Sequence, residues 1–350
     1  MSNQSAGRKV YIDNLRAFTV LLLFPYHVFM IYNNWGEPWY IHGGDIALTS
    51  WFPRIGWWWM MPILFAVAGI STAWALQKRS IGEYVKERVG KLLIPLIFGV
   101  LLVVPVQSFI AGIHYNNEVN YLNFFTKFTD LSGYDGGFTP GNLWFILYLF
   151  GISMICIPLF LLAKKFPAMQ KFAAKIPFPA LLFIGILPLL THSLGDMDGK
   201  SIGEFGGYFL LGYFILSDEA VLEKLERWRF LLLGLSIVGF TETILTNYFF
   251  NEGICREFFT CFHIMALLGL SKRYLNFGNK LTAYLSKSSF GVYIFHQSWI
   301  VIVAYFALKF IHVPVLQILI ILPLSIIFTF LTYEGLRRLP PARWMFGLKK

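Results

Sequence analysis

Charge is scarce in this chain. Only 14% of its 350 residues are Asp, Glu, Lys or Arg, where a soluble domain carries about 25%. Acids are the scarcer kind: 19 Asp and Glu stand against 29 Lys and Arg. Cysteine is nearly absent. Cys156, Cys255 and Cys261 form no C-x-x-C pair and no disulfide framework. No two histidines have a helical ligand spacing with an acid between them, so no metal is expected. Internal repeats, low-complexity tracts and soluble domains are missing as well. After the first apolar run, large residues (Met30, Ile31, Tyr32, Trp35) stand where a small-residue cleavage site would be needed. The N-terminal segment therefore reads as an uncleaved signal-anchor.

What fills the chain is apolar: 57% of it is hydrophobic. The reading is an all-α, polytopic integral membrane protein, one membrane-embedded domain over residues 1–350. Apolar stretches long enough to span fall at about 11–32, 57–76, 92–111, 142–163, 178–194, 203–217, 230–250, 255–270, 289–309 and 314–334. Ten spans are expected, the fifth and sixth being short. The N-terminal segment and every second connection hold 24 of the 29 basic residues; the others hold one each, Arg54, Lys127, Lys200, Arg256 and Lys309. By the positive-inside rule both termini are cytoplasmic. The net charge of +10 is thus a set of topological markers, and no nucleic-acid partner is expected. The bilayer itself is the first partner; oligomeric state is left open.

Ionisable residues inside a bilayer are costly and usually face a protein interior or a watery cavity. The first span carries three: Asp13, Arg16 and His27. Asp13 and Arg16 have the i, i+3 spacing of a local ion pair. His27 follows Pro25, which cannot donate to the Leu21 carbonyl and so offers a kink that aims the imidazole. Arg16 and His27 are about 16 Å apart along a helix, roughly half the hydrocarbon core. Arg88 and Lys91 lie one turn apart where the third span begins; they anchor the span or grip an anionic cofactor from the cytoplasm. On the ninth span Tyr293 and His296 share a face at i, i+3. Glu242 and His263 are further intramembrane candidates. Two outer connections are long. Asn33 to Gly56 holds Trp35, Trp39, Tyr40, His42 and Trp51, an interfacial belt or a platform for sugar rings. Gly112 to Gly141 holds Asp130, Asp135 and a GGFTPG turn.

These stretches together carry a resemblance. YIDNLRA with Arg16-x10-His27, the small-residue FAVAGIS at Phe65 to Ser71, Arg88-x-x-Lys91 before Leu93-Ile94-Pro95, Asn142-Leu143-Trp144-Phe145, and Ser289-x-x-x-Tyr293-x-x-His296 occur in the order of the acyltransferase-3 family of integral membrane proteins. The closing TYEGLRRLPPARWMFGLK is similar to the branch containing the osmoregulated periplasmic glucan succinyltransferases. The family often has Arg-x-x-Arg where this chain has Arg88-x-x-Lys91, which keeps charge but loses the fork of the second guanidinium.

The resemblance implies a bacterial inner-membrane enzyme that moves an acyl group from cytoplasmic acyl-CoA to a hydroxyl of a surface or exported glycan. Arg16, Arg88, Lys91 and Trp144 would hold the donor. His27 would act as base or as a covalent acyl relay, within a catalytic set that also includes Arg16, His296 and Tyr293. His296 would orient the donor, stabilise the oxyanion with Tyr293, or support packing. The residues suit this on their own chemistry: coenzyme A is polyanionic, and a hydroxyl attacking a thioester needs a base near neutral pKa. A secondary transporter of a small solute, or a non-catalytic receptor or scaffold, would also suit the span count. Transporters tend to show paired broken helices in two related halves, and no such symmetry is visible.

Overall fold

Proline and glycine decide where the apolar stretches bend. The computed structural model describes residues 9–37, 39–115, 139–197, 199–246 and 252–349. In chain order the helices are α1 (Val10–Met30), α2 (Ala47–Leu76), α3 (Ile81–Arg88), α4 (Ile94–Leu102), α5 (Val104–His114), α6 (Trp144–Ile155), α7 (Ile157–Lys165), α8 (Ala168–Lys171), α9 (Phe178–Leu181), α10 (Ile186–Thr191), α11 (Ile202–Leu211), α12 (Glu219–Thr246), α13 (Glu252–Tyr274), α14 (Lys280–Phe310), α15 (Pro314–Leu336) and α16 (Pro340–Met345). Among the described residues the only strands are the hairpin Asp196–Met197 with Lys200–Ser201.

All ten expected stretches contain helix, and between five and seven spans pass by length and composition among the described residues. Among the described residues five helices are long and apolar enough to cross a bilayer: Ala47–Leu76, Ile81–His114, Gly253–Tyr274, Lys280–Phe310 and Pro314–Leu336. Two bent pairs bring the number to seven. Residues 141–155 and 157–165 meet at 43°, with Pro158 in the first turn after the break. Residues 202–216 and 219–242 meet at 102°, where the Asp218 carboxylate accepts from the Ala220 and Val221 N–H groups and caps α12. The stretch 178–194 becomes two short helices, α9 and α10. Helix α1 is 21 residues long, but Asp13, Arg16 and His27 dilute its apolar character, and its core face is buried.

Another interruption changes a candidate pair. Pro95 has no N–H for the Lys91 carbonyl, so the ordinary i to i−4 bond cannot form there. The chain widens instead. Val89–Leu93 is π-helical, and Ile94 N–H bonds back to the Val89 carbonyl. Arg88 therefore ends α3 while Lys91 sits in the widened turn.

Two sets of elements pack among themselves. The first holds Met1–Thr19, Trp58–Tyr84 and Met154–Ser286; the second holds Val20–Trp57, Val85–Ser153 and Lys287–Lys350. Within the first, FAVAGIS serves close backbone approach. A Cβ at Gly69 would lie 2.0 Å from the Phe209 carbonyl oxygen, and one at Gly212 would lie 2.0 Å from that of Ala66. Small residues at such a crossing are what membrane helices use where no hydrophobic force drives them together. Gly69→Ala is expected to cost about 1–3 kcal/mol, read as a lower thermal midpoint in detergent. Gly234→Ala, with nothing within 4 Å of its Cβ, should stay within about 0.5 kcal/mol. Within the second set the closing segment folds back on α4 and α14: Trp344 meets Phe98 at 5.5 Å and Phe346 meets Phe295 at 5.1 Å between ring centroids.

Candidate active site

In the second set, α1 presents His27 two residues after Pro25, and α14 presents Tyr293 and His296 one turn apart. The two imidazoles face each other, with ring centroids 5.2 Å apart and planes tilted by 38°. Trp39, between α1 and α2, stacks on His27 at 5.9 Å and 21°, and its carbonyl accepts from the Tyr115 hydroxyl at 2.9 Å. Phe24 packs edge-on against His296. Among the described residues, Nδ1 of His27 and Nε2 of His296 are buried without a hydrogen-bond partner. Buried polar atoms are nearly always paired, so two orphans on facing rings single out this spot.

Polar residues tether the pair. His296 Nδ1 lies 2.7 Å from the Tyr293 carbonyl oxygen. The Tyr293 hydroxyl donates to the Asn142 carbonyl, and Asn142 Nδ2 donates back to the Tyr293 carbonyl at 3.3 Å. Gln107 Nε2 donates to Asn142 Oδ1 at 3.0 Å and to Ser298 Oγ at 2.8 Å. Asn142 is placed by the turn ahead of α6, where Gly141 adopts φ +48°; a Cβ there would strike Val104 Cγ1 at 2.9 Å and the Tyr40 hydroxyl at 3.0 Å. Trp144 opens α6, is buried, and lies against Trp57 and Tyr148. The Tyr293 hydroxyl proton is committed to Asn142, so oxyanion stabilisation by that hydroxyl would require breaking this bond. Lys91 pairs with Glu87 on the same helical run. Asp130 and Asp135 lie outside the described residues.

In the first set, Arg16 forms the local pair its spacing suggests, Nη1 to Asp13 Oδ1 at 3.2 Å. It reaches further too: Nη2 donates to Ser71 Oγ, the last residue of FAVAGIS, at 2.8 Å. Its side chain stays 35% exposed. His263 Nδ1 lies 3.2 Å from the Ser236 hydroxyl, between Trp59 and Phe240. A second polar cluster ties α10, α11 and α13. His192, Glu204 and Glu257 each bring a ligand-capable atom within 4.8 Å of the others. The centre of that group is filled by Arg256, whose Nη2 lies 3.0 Å from a carboxylate oxygen of each glutamate and 2.9 Å from His192 Nδ1. The Tyr208 hydroxyl donates to Glu257. This cation is built in between the two carboxylates.

Comparison with known proteins decides the class of chemistry. A family model described as an acyltransferase domain matches residues 9–334. The chain belongs to the acyltransferase-3 family. Glucans biosynthesis protein C of Salmonella typhimurium (strain LT2) and of Salmonella typhi are each 21% identical over 334 residues, covering 85% of this chain and 83% of theirs. That of Salmonella gallinarum is 22% identical over the same shares. These relatives lie in the glucan-related branch that the closing segment resembles. No solved structure matches the chain. The protein is a multi-pass membrane acyltransferase, and membership in this acyltransferase-3 family settles for an enzyme over a transporter or a scaffold.

Gln107, Asn142 and Trp39 gain a place in the site that spacing alone did not assign them. A signal existed for Gln107, a lone amide in the apolar run LLVVPVQSFI. Trp39 was one aromatic among many in its loop, and nothing in the sequence set it apart.

Proposed function

We propose that this acyltransferase-3 protein moves an acyl group from cytoplasmic acyl-CoA to a hydroxyl of a carbohydrate outside the membrane, with His27 as the base. The pair His27–His296 carries the reading, because it joins two unpaired imidazole nitrogens in a buried, aromatic-lined site. Attack of a hydroxyl on a thioester needs a proton acceptor at the attacking oxygen, and an imidazole meets that need near neutral pH. Arg16, Arg88 and Lys91 would meet the phosphates of coenzyme A, and Trp144 would flank the donor arm. The basic tally puts both termini in the cytoplasm and all three cations on the donor side. The ten-span topology, including α1 and the bent and short segments, belongs to the same proposal, as does a bacterial inner-membrane location. The printed names of the relatives point to a glucan as the acceptor.

In the direct variant His27 takes the hydroxyl proton while the oxygen attacks the thioester carbon. In the relay variant His27 is acylated first. Trapping of acylated protein after addition of donor alone, lost in His27→Ala, would select the relay. Arg88→Ala is expected to raise KM for acyl-CoA about tenfold or more, the worth of one charge-assisted contact, with a smaller change in kcat. Mass spectrometry of exported glycans from cells with and without the protein tests the acceptor. A glycan acyl group that disappears with the protein supports the reading; identical glycans in both cells contradict it.

A further inference from the structure

Resting on the reading of His27 as base, we propose that His296 is its proton partner, and that the two imidazoles work as a relay. The Tyr293 carbonyl fixes the tautomer of His296. A carbonyl oxygen only accepts, so the 2.7 Å contact places the proton of neutral His296 on Nδ1. Nε2 then carries the lone pair. It is buried, has no partner among the described residues, and belongs to the ring that faces His27. On His27 the buried orphan is Nδ1. The two nitrogens are not bonded to each other in this structure, but neither has a competing bond and their rings lie 5.2 Å apart between centroids, so the relay requires a ring rotation that joins Nδ1 of His27 to Nε2 of His296. This leaves Nε2 of His27 for the acceptor hydroxyl.

The step balances without a further reactant. The hydroxyl O–H bond breaks and its proton goes to Nε2 of His27. The Nδ1 proton of His27 passes to Nε2 of His296. The oxygen forms its bond to the thioester carbon, the C–S bond breaks, and sulfur leaves as thiolate. The proton returns through the same two rings to the thiolate, giving the thiol and restoring both imidazoles. While His296 holds the extra proton, its Nδ1–H bond to the Tyr293 carbonyl becomes charge-assisted and about twice as strong. Asn142 Nδ2, held by Gln107, fixes that carbonyl. Trp39, stacked on His27, sets the plane of the first ring. His296 acts through His27, so it is a positioning residue and not a group that touches substrate.

His296→Asn tests this, since an asparagine amide keeps a donor near the Nδ1 position and removes the Nε2 base. Expected is a kcat lower by on the order of a hundredfold, with KM for donor and acceptor and the thermal midpoint unchanged. The native protein supplies a second readout that needs no folded variant. A relay moves two protons in one step, so kcat in mixed light and heavy water should follow a bowed curve. A straight line, a kcat for His296→Asn close to that of the native protein, or losses of kcat, KM and midpoint together would overturn the proposal. His27→Ala run in parallel separates the two claims. Loss of activity there with a fully active His296→Asn removes the relay alone, whereas a fully active His27→Ala removes the base and the relay with it.

Discussion

Replacing His27 by alanine is expected to lower kcat by on the order of a thousandfold, within the range a general base contributes, while KM for acyl-CoA stays near its native value. The split follows from the site. His27 reaches outward from α1 behind Pro25 and sits among Trp39, Tyr26 and His296; no cation that would meet the donor's phosphates is its neighbour in this group. Its loss would remove an interaction made when the hydroxyl gives up its proton, which lowers kcat and kcat/KM together. The measurement is transfer of labelled acyl groups by purified protein at saturating and limiting donor. Undiminished activity in His27→Ala would sink both the direct and the relay variants.

The largest expected effect on stability lies far from these histidines in sequence. Arg256→Ala should cost about 3–5 kcal/mol, the usual penalty for removing one partner of a buried ion pair. Glu257 is 1% exposed and Glu204 10% exposed at their side chains, and both share Arg256 Nη2 at 3.0 Å. Without the guanidinium two carboxylates face each other beside His192. The loss would loosen α10, α11 and α13 at one point. Thermal unfolding in detergent reads it directly. Arg256→Ala combined with Glu204→Gln and Glu257→Gln should recover much of the midpoint, because the uncompensated charges are gone. A triple variant as unstable as the single one would show that packing, not charge, is what Arg256 provides.

Much of the site was legible in the chain, residue by residue. An acid, a base and an imidazole within one apolar helix are costly enough to announce themselves, and α1 carries them where the sequence places them. Tyr293 and His296 meet on α14 as their spacing implies, with rings 5.8 Å apart. What spacing could not supply was pairing between helices. His27 and His296 are separated by most of the chain, and nothing local says that their rings face each other. Backbone bonds also reassigned roles: the Tyr293 hydroxyl and the His296 Nδ1 proton are both spent on carbonyls. The π-turn at Val89–Leu93, ahead of Pro95, holds Lys91 while Arg88 closes α3, a break that spacing alone did not show. Of the ten expected spans, five, or seven with the bent pairs, stand out by length and composition among the described residues, for a related reason. Hydropathy sees apolar length, but Cys156–Pro158 bends one apolar run, 202–216 and 219–242 pair across a 102° bend, and 178–194 is divided between two short helices. The Arg256 cluster was hidden because its four charged or imidazole members come from three separate helices, with Arg256 reading only as a lone basic residue in an outer connection.

The central claim is transfer across the membrane, from a donor on one side to a hydroxyl on the other. Proteoliposomes holding the protein in one orientation, with labelled acyl-CoA on the cytoplasmic face and a glucan on the opposite face, test it most directly. The account predicts labelled glucan in that arrangement, no labelled glucan when the donor is moved to the glucan side, and none with His27→Ala in either. Labelled glucan formed only when donor and glucan share one side would contradict it.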